Sequence, residues 1–463
     1  MKKLLSLLAF AAVISFFACE KDEPVDPTPT LNELSGDLTS RTLTSDKKWL
    51  LKGQVFVRSG QVLTIEPGTV IFGDKATRGT LVIDKGGKIE AVGTADKPIV
   101  FTSNLAEGIR DRGDWGGLVI LGRANCNQID PGVEGITPAV TFGTNNNAAN
   151  DGESSGTLKY VRVEFAGIEL TPNNETNSIT MGGVGRGTVM EYCQVSFGGD
   201  DGYEWFGGTV NGKYLISFCT WDDDFDVDYG WAGNVQYGLA VRYPGFADQS
   251  QSNGFETDNG PNDNDVTPYT DGVFSNITVV GPIKTGSSTS NANYGHAFDA
   301  RRRTALSLFN SVLVGFPRGI RFNQPSVLAQ YQSGRGVLAN NVLVAPATAT
   351  AYNVGTGVTA ADVQAYWTAN NTTIDGPASD AIHQALGLNL DVFFGARLAD
   401  AYTAPDFRVT TGTLATGAAF SNAKFNEANR SAFFNKNVTF RGAFGSTDWT
   451  TGWAEFKPVS KAY

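Results

Sequence analysis

The stretch Asn310-Ser-Val-Leu-Val314 repeats the pattern of Asn276-Ile-Thr-Val279 before it and of Asn340-Asn-Val-Leu-Val344 after it. In each copy an asparagine precedes two apolar residues that are separated by one other residue. This is the pattern of an extended strand, whose side chains alternate between two faces. Similar apolar pairs occur earlier in the chain: Val161/Val163, Cys193/Val195, Cys219/Trp221 and Leu239/Val241. The pairs recur about every 30 residues, which is typical of a parallel β-helix whose coils stack on one another.

The residues before this stretch form a series of short apolar segments separated by turns. Between Gly53-Gln-Val-Phe-Val57 and Pro98-Ile-Val-Phe-Thr102, turn signals such as Glu66-Pro-Gly68 interrupt runs of β-branched and aromatic residues. No amphipathic helix intervenes before Asp362-Val-Gln-Ala-Tyr-Trp367, which disfavours an α/β fold. A sandwich would need many tight hairpins, whereas the hairpin signal Asn-Gly is rare in this chain. The sequence therefore predicts an all-β parallel β-helix over residues 45–359.

The region after these coils is predicted to form a small, partly helical cap. Within residues 360–463, two segments have a helical pattern, Asp362–Ala369 and Glu427–Phe434, with irregular chain between them. The last coil of a solenoid exposes apolar side chains at its open end, so that end needs cover. We therefore expect residues 360–463 to provide the final coils and the cap.

The first residues have the pattern of an export signal. Two lysines, an apolar run from Leu4 to Ala18 and then Cys19 are the parts of a secretory signal peptide. The run is shorter than the ~20 residues of a membrane-spanning helix. Residues 1–18 are therefore predicted to be a signal peptide. Residues 19–44, which begin with charged residues and prolines, are predicted to be a flexible tether.

Composition and charge restrict the function. The net charge of −11 disfavours nucleic acid as a partner. Only two histidines occur in the chain, which gives little support to multi-histidine zinc sites or to Ser/His/Asp catalysis. The 54 glycines in 463 residues exceed the usual ~7% and favour a β-rich chain with many turns.

Several motifs carry a resemblance to known families. Leu63-Thr-Ile-Glu-Pro-Gly-Thr-Val-Ile71 and Ile89-Glu-Ala-Val-Gly-Thr-Ala-Asp-Lys-Pro-Ile-Val-Phe-Thr-Ser103 resemble coils of pectin-lyase-like, right-handed parallel β-helices. Asp114-Trp-Gly-Gly117, Glu204-Trp-Phe-Gly-Gly208 and Arg441-Gly-Ala-Phe-Gly-Ser-Thr-Asp-Trp449 resemble a family of Bacteroidetes surface lipoproteins. The likeness extends over roughly residues 45–455 and implies the fold and the compartment rather than an activity.

The same resemblance gives the N-terminal motifs a meaning. Phe16-Phe17-Ala18-Cys19 resembles the bacterial lipobox, which implies that lipid is attached to Cys19. Lys21-Asp22-Glu23 resembles the acidic surface-export signal of Bacteroidetes lipoproteins. We therefore expect an outer-membrane protein that is anchored by lipid and faces the cell exterior.

The most informative internal feature is an aromatic residue followed by an acid, repeated in successive coils. It occurs as Tyr203-Glu204, Phe225-Asp226, Phe255-Glu256 and Phe298-Asp299, and the next coil has Ile320-Arg321. If the aromatic residues point inward, the outward residues form one column: Glu204, Asp226, Glu256, Asp299 and Arg321. A companion column two residues further along the chain is predicted to contain Phe206, Asp228, Asp258, Arg301 and Asn323.

Carboxylates on coils about 4.8 Å apart repel one another and need a counter-charge. Ca²⁺ takes six to eight oxygen ligands at about 2.3–2.6 Å, and adjacent coils can supply several of them. The sequence therefore predicts a Ca²⁺ site with five ligand candidates: Glu204, Asp226, Asp228, Glu256 and Asp258. A solvated acidic turn, or neutralisation by Arg301 to Arg303, is the alternative.

Other residues are candidates for ligand binding or catalysis. Trp205, Arg301 and Arg303 are candidates for contacts with a sugar ring or an acidic glycan. Asp299 and Arg301 are weak candidates for catalysis, since lyases of this fold combine Ca²⁺ with a basic residue. Cys193 and Cys219 are expected to stack as thiols in the same register of adjacent coils.

Three functions remain open from the sequence. The first is a non-catalytic surface protein that binds a glycan or a partner protein along a Ca²⁺-supported β-helix. The second is a Ca²⁺-dependent polysaccharide lyase or a glycosidase, which uses a pair of carboxylates. The third is an accessory lipoprotein of an outer-membrane nutrient transporter. The absence of lysine from the acidic strands favours the first, although a single histidine, His296, lies beside the column.

Overall fold

The computed structural model describes residues 31–171, 174–283, 290–345, 350–375, 406–409 and 411–463. The predicted signal peptide, Cys19 and residues 20–30 lie outside the described residues. Parallel strands from successive coils pair side by side, with one residue of each strand opposite one residue of the next. The predicted parallel β-helix is therefore confirmed.

The coils build three parallel sheets, called sheets A, B and C. Sheet A contains β1 (Leu31–Leu38), β3 (Lys48–Val57), β5 (Val70–Gly73), β8 (Ile99–Ser103), β12 (Gly156–Glu164), β16 (Val189–Ser196), β18 (Gly212–Phe218), β20 (Asn234–Val241), β22 (Val273–Val280), β25 (Val312–Val314), β28 (Val342–Ala345) and β30 (Thr372–Asp375). Sheet B starts with the ends of β1 and β3 and continues through β6 (Thr80–Ile83), β9 (Gly117–Leu121), β15 (Ile179–Gly182), β17 (Tyr203–Phe206), β19 (Phe225–Asp228), β21 (Phe255–Thr257), β23 (His296–Ala300), β26 (Arg318–Phe322) and β29 (Thr350–Val354).

Sheet C consists of short strands and of the first halves of longer ones. It contains β2 (Arg41–Leu43), β4 (Val62–Ile65), β7 (Lys88–Val92), β24 (Ser307–Phe309) and β27 (Leu338–Ala339), and the first halves of β12, β16, β18, β20 and β22. Two small pairs lie outside the coils: β10 (Asn125–Cys126) with β11 (Thr144–Asn145), and β13 (Glu169–Thr171) with β14 (Asn174–Glu175).

Helices occur mainly at the last described coils. They are α1 (Pro325–Gln332) and α2 (Ala360–Thr368), with single 3₁₀ turns at Ala148–Asn150, Thr413–Ala415, Ala423–Asn426 and Pro458–Ser460. Tyr331 of α1 and Trp367 of α2 are buried against the interior of the coils. The helix predicted at Asp362–Ala369 is therefore confirmed with a small shift. The helix predicted at Glu427–Phe434 is wrong, because that segment forms turns.

In seven successive coils the chain turns from sheet C into sheet A at one residue with positive φ. Tyrosine occupies this corner in four successive coils and asparagine in the next three: Tyr160, Tyr192, Tyr214, Tyr237, Asn276, Asn310 and Asn340. Asparagine tolerates this left-handed conformation better than most residues. The asparagines noticed in the sequence are therefore corner residues.

The β-helix begins earlier than the sequence suggested. Residues 31–44, which the sequence predicts to be part of the tether, instead form β1 and β2, and these pair with β3 and β4. Leu34, Leu38 and Leu43 are buried in the interior although their neighbours are polar. The sparse apolar residues concealed this first coil.

The expected alignment of Cys193 with Cys219 is wrong. Cys193 lies opposite Leu215 of the next coil and is buried in the interior. Cys219 lies at a bend with φ 56° just after β18 and packs in a second apolar cluster outside sheet A. A period of two residues places both in strand-like patterns, but it does not distinguish the two buried faces of one sheet.

The C-terminal segment, residues 411–463, covers this second face of sheet A. It runs back along the coils from the Asn310 corner, which bonds Ala419, to Arg110, which bonds the carbonyl of Lys461. Buried side chains of the segment, such as Trp453, pack on the outer side of sheet A. This part of the region predicted as a cap therefore lies alongside the coils, while α1 and α2 cover the interior.

Candidate functional site

The predicted outward column on sheet B is confirmed by the strand register. Glu204 lies opposite Asp226, and Asp226 lies opposite Glu256. Glu256 lies opposite Asp299, which in turn lies opposite Arg321. We call these five residues the acidic column.

Stacked aromatic residues inside the coils fix the positions of these carboxylates. Tyr203 lies 5.9 Å from Phe225, Phe225 lies 5.2 Å from Phe255, and Phe255 lies 5.6 Å from Phe298, measured between ring centroids. All four rings are buried. Because neighbouring residues of a strand face opposite sides, packing of these rings holds the acids that follow them on the outer face.

Acids from the turns before the strands join the acidic column. Among the described residues, three groups have carboxylate oxygens within 4.8 Å of one another: Asp200/Asp201/Asp222, Asp201/Glu204/Asp226 and Asp223/Asp226/Glu256. The turn acids were absent from the predicted ligand set. The signal for them was an Asp-Asp doublet just before the strand in two successive coils, Asp200-Asp201 and Asp222-Asp223.

Asp226 belongs to two of these groups. Its Oδ1 atom is buried and has no hydrogen-bond partner among the described residues. Burial, and then the neighbouring charge of Glu256, raise the pKa of Asp226 well above its usual range. A buried carboxylate without a partner is costly unless a proton or a cation neutralises it.

The neighbouring carboxylates have few neutralising partners. Glu204 accepts a hydrogen bond from the side-chain amide of Asn177, while burial and the charge of Asp226 raise its pKa. Asp223 accepts a hydrogen bond from the backbone N–H of Asn253 and is 3% exposed. Burial is also the first cause of the raised pKa of Asp223.

Two predicted ligands, Asp228 and Asp258, lie outside the three groups. Asp258 pairs with Arg301 at 2.6 Å and with Arg302 at 2.7 Å. Asp228 accepts a hydrogen bond from the backbone N–H of Tyr229 at 2.6 Å. The companion column therefore changes from acid to arginine within one coil, and the arginines neutralise Asp258.

The two weak catalytic candidates, Asp299 and Arg301, are both engaged in ion pairs. Asp299 pairs with Arg321 at 2.6 Å, and Arg301 contacts Glu256 as well as Asp258. His296 Nδ1 lies 3.8 Å from Asp299, but burial and nearby arginines lower the pKa of His296 to about 2. His296 is therefore neutral, and its contact with Asp299 is not an ion pair.

The structure contradicts the prediction that Trp205 contacts a ligand. Trp205 is 1% exposed and packs inside the coils against Trp231 and Phe274, at 5.5 and 5.9 Å between ring centroids. It has the same parity as Tyr203 on β17, so it faces inward too. Arg303 remains partly exposed and lies 3.5 Å from Asp265.

A cavity of about 270 Å³ opens beside the acidic column. The partly exposed rings of Phe206 and Tyr229, 5.1 Å apart, line one side of it. Asp200 and Glu204 are also in the lining, with Asn177, Thr176 and Thr180 nearby. This combination of aromatic rings, amides, hydroxyls and carboxylates surrounds a space large enough for a sugar ring.

Residues 36–385 match the family model described as a pectate-lyase like β-helix domain. No curated protein matches the chain. The crystal structure of the Dettilon tailspike protein aligns with 68% of this chain at 9% identity and a TM-score of 0.25. The aligned part is 62% of the tailspike, so the chain spans about three fifths of that protein. A TM-score this low adds nothing to the fold that the strands show.

The described residues contain no helix that is long and apolar enough to cross a membrane.

Proposed function

The chain belongs to the pectate-lyase-like β-helix family, and from the site on sheet B we propose that it binds a glycan at the cell surface without cleaving it. In this proposal the acidic column and its turn acids hold Ca²⁺. A partner protein bound along the same face is the alternative ligand.

The cavity beside the acidic column carries this proposal. Phe206 and Tyr229 present partly exposed rings, on which the apolar face of a sugar can pack. Asn177, Thr180 and Glu204 offer the donors and acceptors that sugar hydroxyls require. Apolar walls with a few convergent polar groups are typical of small-ligand sites.

The donor chemistry of the three carboxylate groups fits Ca²⁺. Ca²⁺ prefers carboxylate and carbonyl oxygens and tolerates irregular geometry. Asp201, Asp223 and Asp226, with Glu204 and Glu256, would hold the ion, and Asp226 belongs to two of the groups. The unpartnered Oδ1 of Asp226 is the atom that most requires a cation.

The ion pairs of the second half of the site favour binding over catalysis. Arg301 forms ion pairs with Glu256 and Asp258. Asp299 is buried and forms an ion pair with Arg321. An arginine fixed between two carboxylates is a poor base, because the same carboxylates stabilise its charged form. Within this site, these residues position one another.

A glycosidase is the second candidate, because Glu204 and Asp226 are adjacent carboxylates with raised pKa values. Such a pair can share the roles of acid and nucleophile or base. Incubation with neutral and acidic polysaccharides distinguishes an enzyme from a protein that only binds glycans. New reducing ends indicate a glycosidase, and the absorbance of unsaturated products indicates a lyase. Product formation that is lost in Glu204→Gln would favour the enzyme.

Glycan binding is tested with an array of neutral and acidic glycans, probed with Ca²⁺ and with EGTA. We expect saturable binding that needs Ca²⁺ and that falls at least tenfold in Phe206→Ala. Phe433→Ala is the matched control, since Phe433 is also partly exposed but lies at the C-terminal segment. Absence of binding across the array, or equal loss in both variants, would contradict the proposal.

The proposed location rests on the N-terminal motifs. We expect lipid on Cys19, an outer-membrane anchor and exposure to the exterior. Incorporation of labelled palmitate should be lost in Cys19→Ser, and protease added to intact cells should degrade the wild-type protein. Co-purification with an outer-membrane transporter would support an accessory role instead. Protection from protease in intact cells would exclude the exterior location.

A further inference from the structure

Four tyrosines form a continuous stack at the corner between sheets C and A. Tyr160, Tyr192, Tyr214 and Tyr237 occupy the positive-φ position of successive coils. Their ring centroids are 4.5, 4.3 and 5.0 Å apart along the stack, and neighbouring rings are within 19° of parallel. Because each ring covers the face of the next, the stack presents ring edges along its length, and only its two end rings, Tyr160 and Tyr237, keep an outer face.

The chain itself places an aromatic ring on these edges. Trp453 of the C-terminal segment lies 6.0 Å from Tyr160 and 6.0 Å from Tyr192, with interplanar angles of 75° and 89°. Both angles are close to perpendicular, as in the edge-to-face geometry that aromatic pairs favour. The stack therefore accepts an aromatic ring that lies beside two of its members and roughly perpendicular to both.

Beyond Trp453, the same edges border a cavity of about 310 Å³. Tyr192, Tyr214 and Tyr237 form one side, and Phe440 and Trp449 of the C-terminal segment form part of the other. Phe440 lies 6.2 Å from Tyr237 and Trp449 lies 5.4 Å from Tyr214 between ring centroids, so the cavity has aromatic residues on both sides.

The cavity is uncharged. None of its lining residues is acidic or basic. Burial raises the pKa of Tyr237 to about 12, and it also raises the pKa of Tyr214, so the phenols stay neutral near neutral pH. The exposed residues Ser446 and Thr447 provide hydroxyl groups at its rim.

We infer that this cavity binds a small, neutral aromatic compound, whose ring lies beside Tyr192 and Tyr214 as Trp453 lies beside Tyr160 and Tyr192. A hydroxyl or N–H group on the ligand would reach the polar rim. A cavity of this size accommodates one or two fused rings. This site is separate from the cavity on sheet B, and it does not depend on Ca²⁺ or on glycan binding.

Saturation-transfer NMR and calorimetric titration with indole and with p-cresol test this inference. Cyclohexanol is the matched probe, since it is similar in size and polarity to a phenol but has no aromatic face. We expect saturable binding of both aromatic probes with one site per chain, and at least tenfold weaker binding of cyclohexanol. Equal binding of cyclohexanol, or no saturable binding of the aromatic probes, would overturn the inference.

Two tryptophan variants locate the site. Ser446→Trp extends an indole into the cavity from its exposed rim, and we expect it to weaken indole binding at least tenfold without lowering the melting temperature. Ser431→Trp is the control, because Ser431 is also an exposed serine of the C-terminal segment but does not line the cavity. Unchanged binding in Ser446→Trp would place the probes elsewhere and overturn the inference.

Discussion

Asp226 experiences charge repulsion from two neighbours, since it lies opposite Glu204 on one side and Glu256 on the other. Replacement by asparagine keeps the shape and removes one negative charge from two carboxylate groups. In the absence of Ca²⁺ at neutral pH, Asp226→Asn should therefore melt at a higher temperature than the wild type. It should also lose most of the increase in melting temperature that Ca²⁺ gives the wild type.

Differential scanning calorimetry of chelator-treated protein, with and without added CaCl₂, measures both effects. Asp130→Asn provides the control for loss of one charge, because Asp130 is exposed and outside the three groups. The same Ca²⁺ response in Asp226→Asn and in the wild type would mean that Asp226 is not a ligand.

The acids of sheet B also predict an unusual dependence on pH. Burial raises the pKa of Asp201, Glu204 and Asp223, and it raises that of Asp222 to about 6. The folded protein thus binds protons more tightly than the unfolded chain does. The resulting stability is fully present below the unfolded pKa of about 4 and is lost as the pH rises through the folded values.

For the metal-free protein, these groups should make the melting temperature higher at about pH 5 than at about pH 7.5. Added Ca²⁺ should raise the melting temperature more at the higher pH, because it replaces protons that have been lost. A metal-free melting temperature that rises from the lower to the higher pH, with an equal Ca²⁺ effect at both, would show that these carboxylates are not strained.

For single residues, the sequence predicted which face of a strand a side chain occupies better than it predicted the ion-pair partners of the acids. The aromatic-acid pairs placed Glu204, Asp226 and Glu256 on one face, because side chains alternate strictly along a strand. The same alternation should have put Trp205 inside. Arg301 and Arg302, which neutralise Asp258, lie in the turn just after β23. The register placed Arg301 beside Asp258, whereas the choice between these arginines and Ca²⁺ depended on the geometry of that turn.

The positive-φ corner between sheets C and A is the recurring element of the coils. Asn310 has φ 53°, and its side chain both donates to the carbonyl and accepts from the N–H of Ala419. Asn310→Ala would place alanine in a left-handed conformation and leave the partly buried N–H and C=O groups of Ala419 without these side-chain partners. We expect it to lower the free energy of unfolding by about 2–4 kcal/mol.

Asn310→Gly separates the two causes, because glycine accepts the positive φ but does not restore the hydrogen bonds. Urea unfolding should show Asn310→Gly to be less destabilised than Asn310→Ala by about 1 kcal/mol. Equal destabilisation by glycine and alanine would mean that the backbone conformation contributes nothing.

The repeat length of the element was predictable, but its two buried faces were not distinguishable. Val279 lies opposite Leu313, so Val312 and Val314 point outward beneath the C-terminal segment although they resemble the inward pairs. A sheet that is covered on both sides shows apolar residues at both parities. The repeat therefore predicted the coils, but it did not predict which residues of each strand point inward.

Across the whole molecule, side-chain amides fasten the C-terminal segment to the coils. Gln194 donates to the carbonyl and accepts from the N–H of Glu455, at 2.7 and 2.8 Å. Gln236 makes the same pair of bonds with Asn435, at 3.1 and 2.8 Å. Each glutamine thus satisfies one segment residue as a neighbouring strand would.

The double variant Gln194→Leu/Gln236→Leu removes these bonds at similar side-chain volume. We expect faster hydrogen exchange in residues 435–455 than in the wild type, with little change in sheet B, to which neither glutamine belongs. Gln364→Leu is the control, since Gln364 lies exposed on α2. Unchanged exchange in the segment would show that its apolar contacts alone hold it.

The position of this segment could not be predicted from the sequence. Its contacts join residues more than a hundred positions apart through backbone groups, as Asn310 does with Ala419, and they follow no period. The first coil was not predicted for a different reason. Its apolar residues, such as Leu34 and Leu43, are sparse among polar ones and form no recognisable pattern. Periodicity identifies what repeats, and both ends of this fold do not repeat.

The segment that runs back along sheet A also changes how the molecule should come apart. In most solenoids each repeat touches only its neighbours, so the ends can fray while the middle persists. Here the C-terminal segment contacts coils from Gly108 to Asn310 without interruption. Any of these coils that frays must break its contacts with that segment. The coils between those residues are thereby linked in a single cooperative unit, more like a globular domain than a stack of independent repeats.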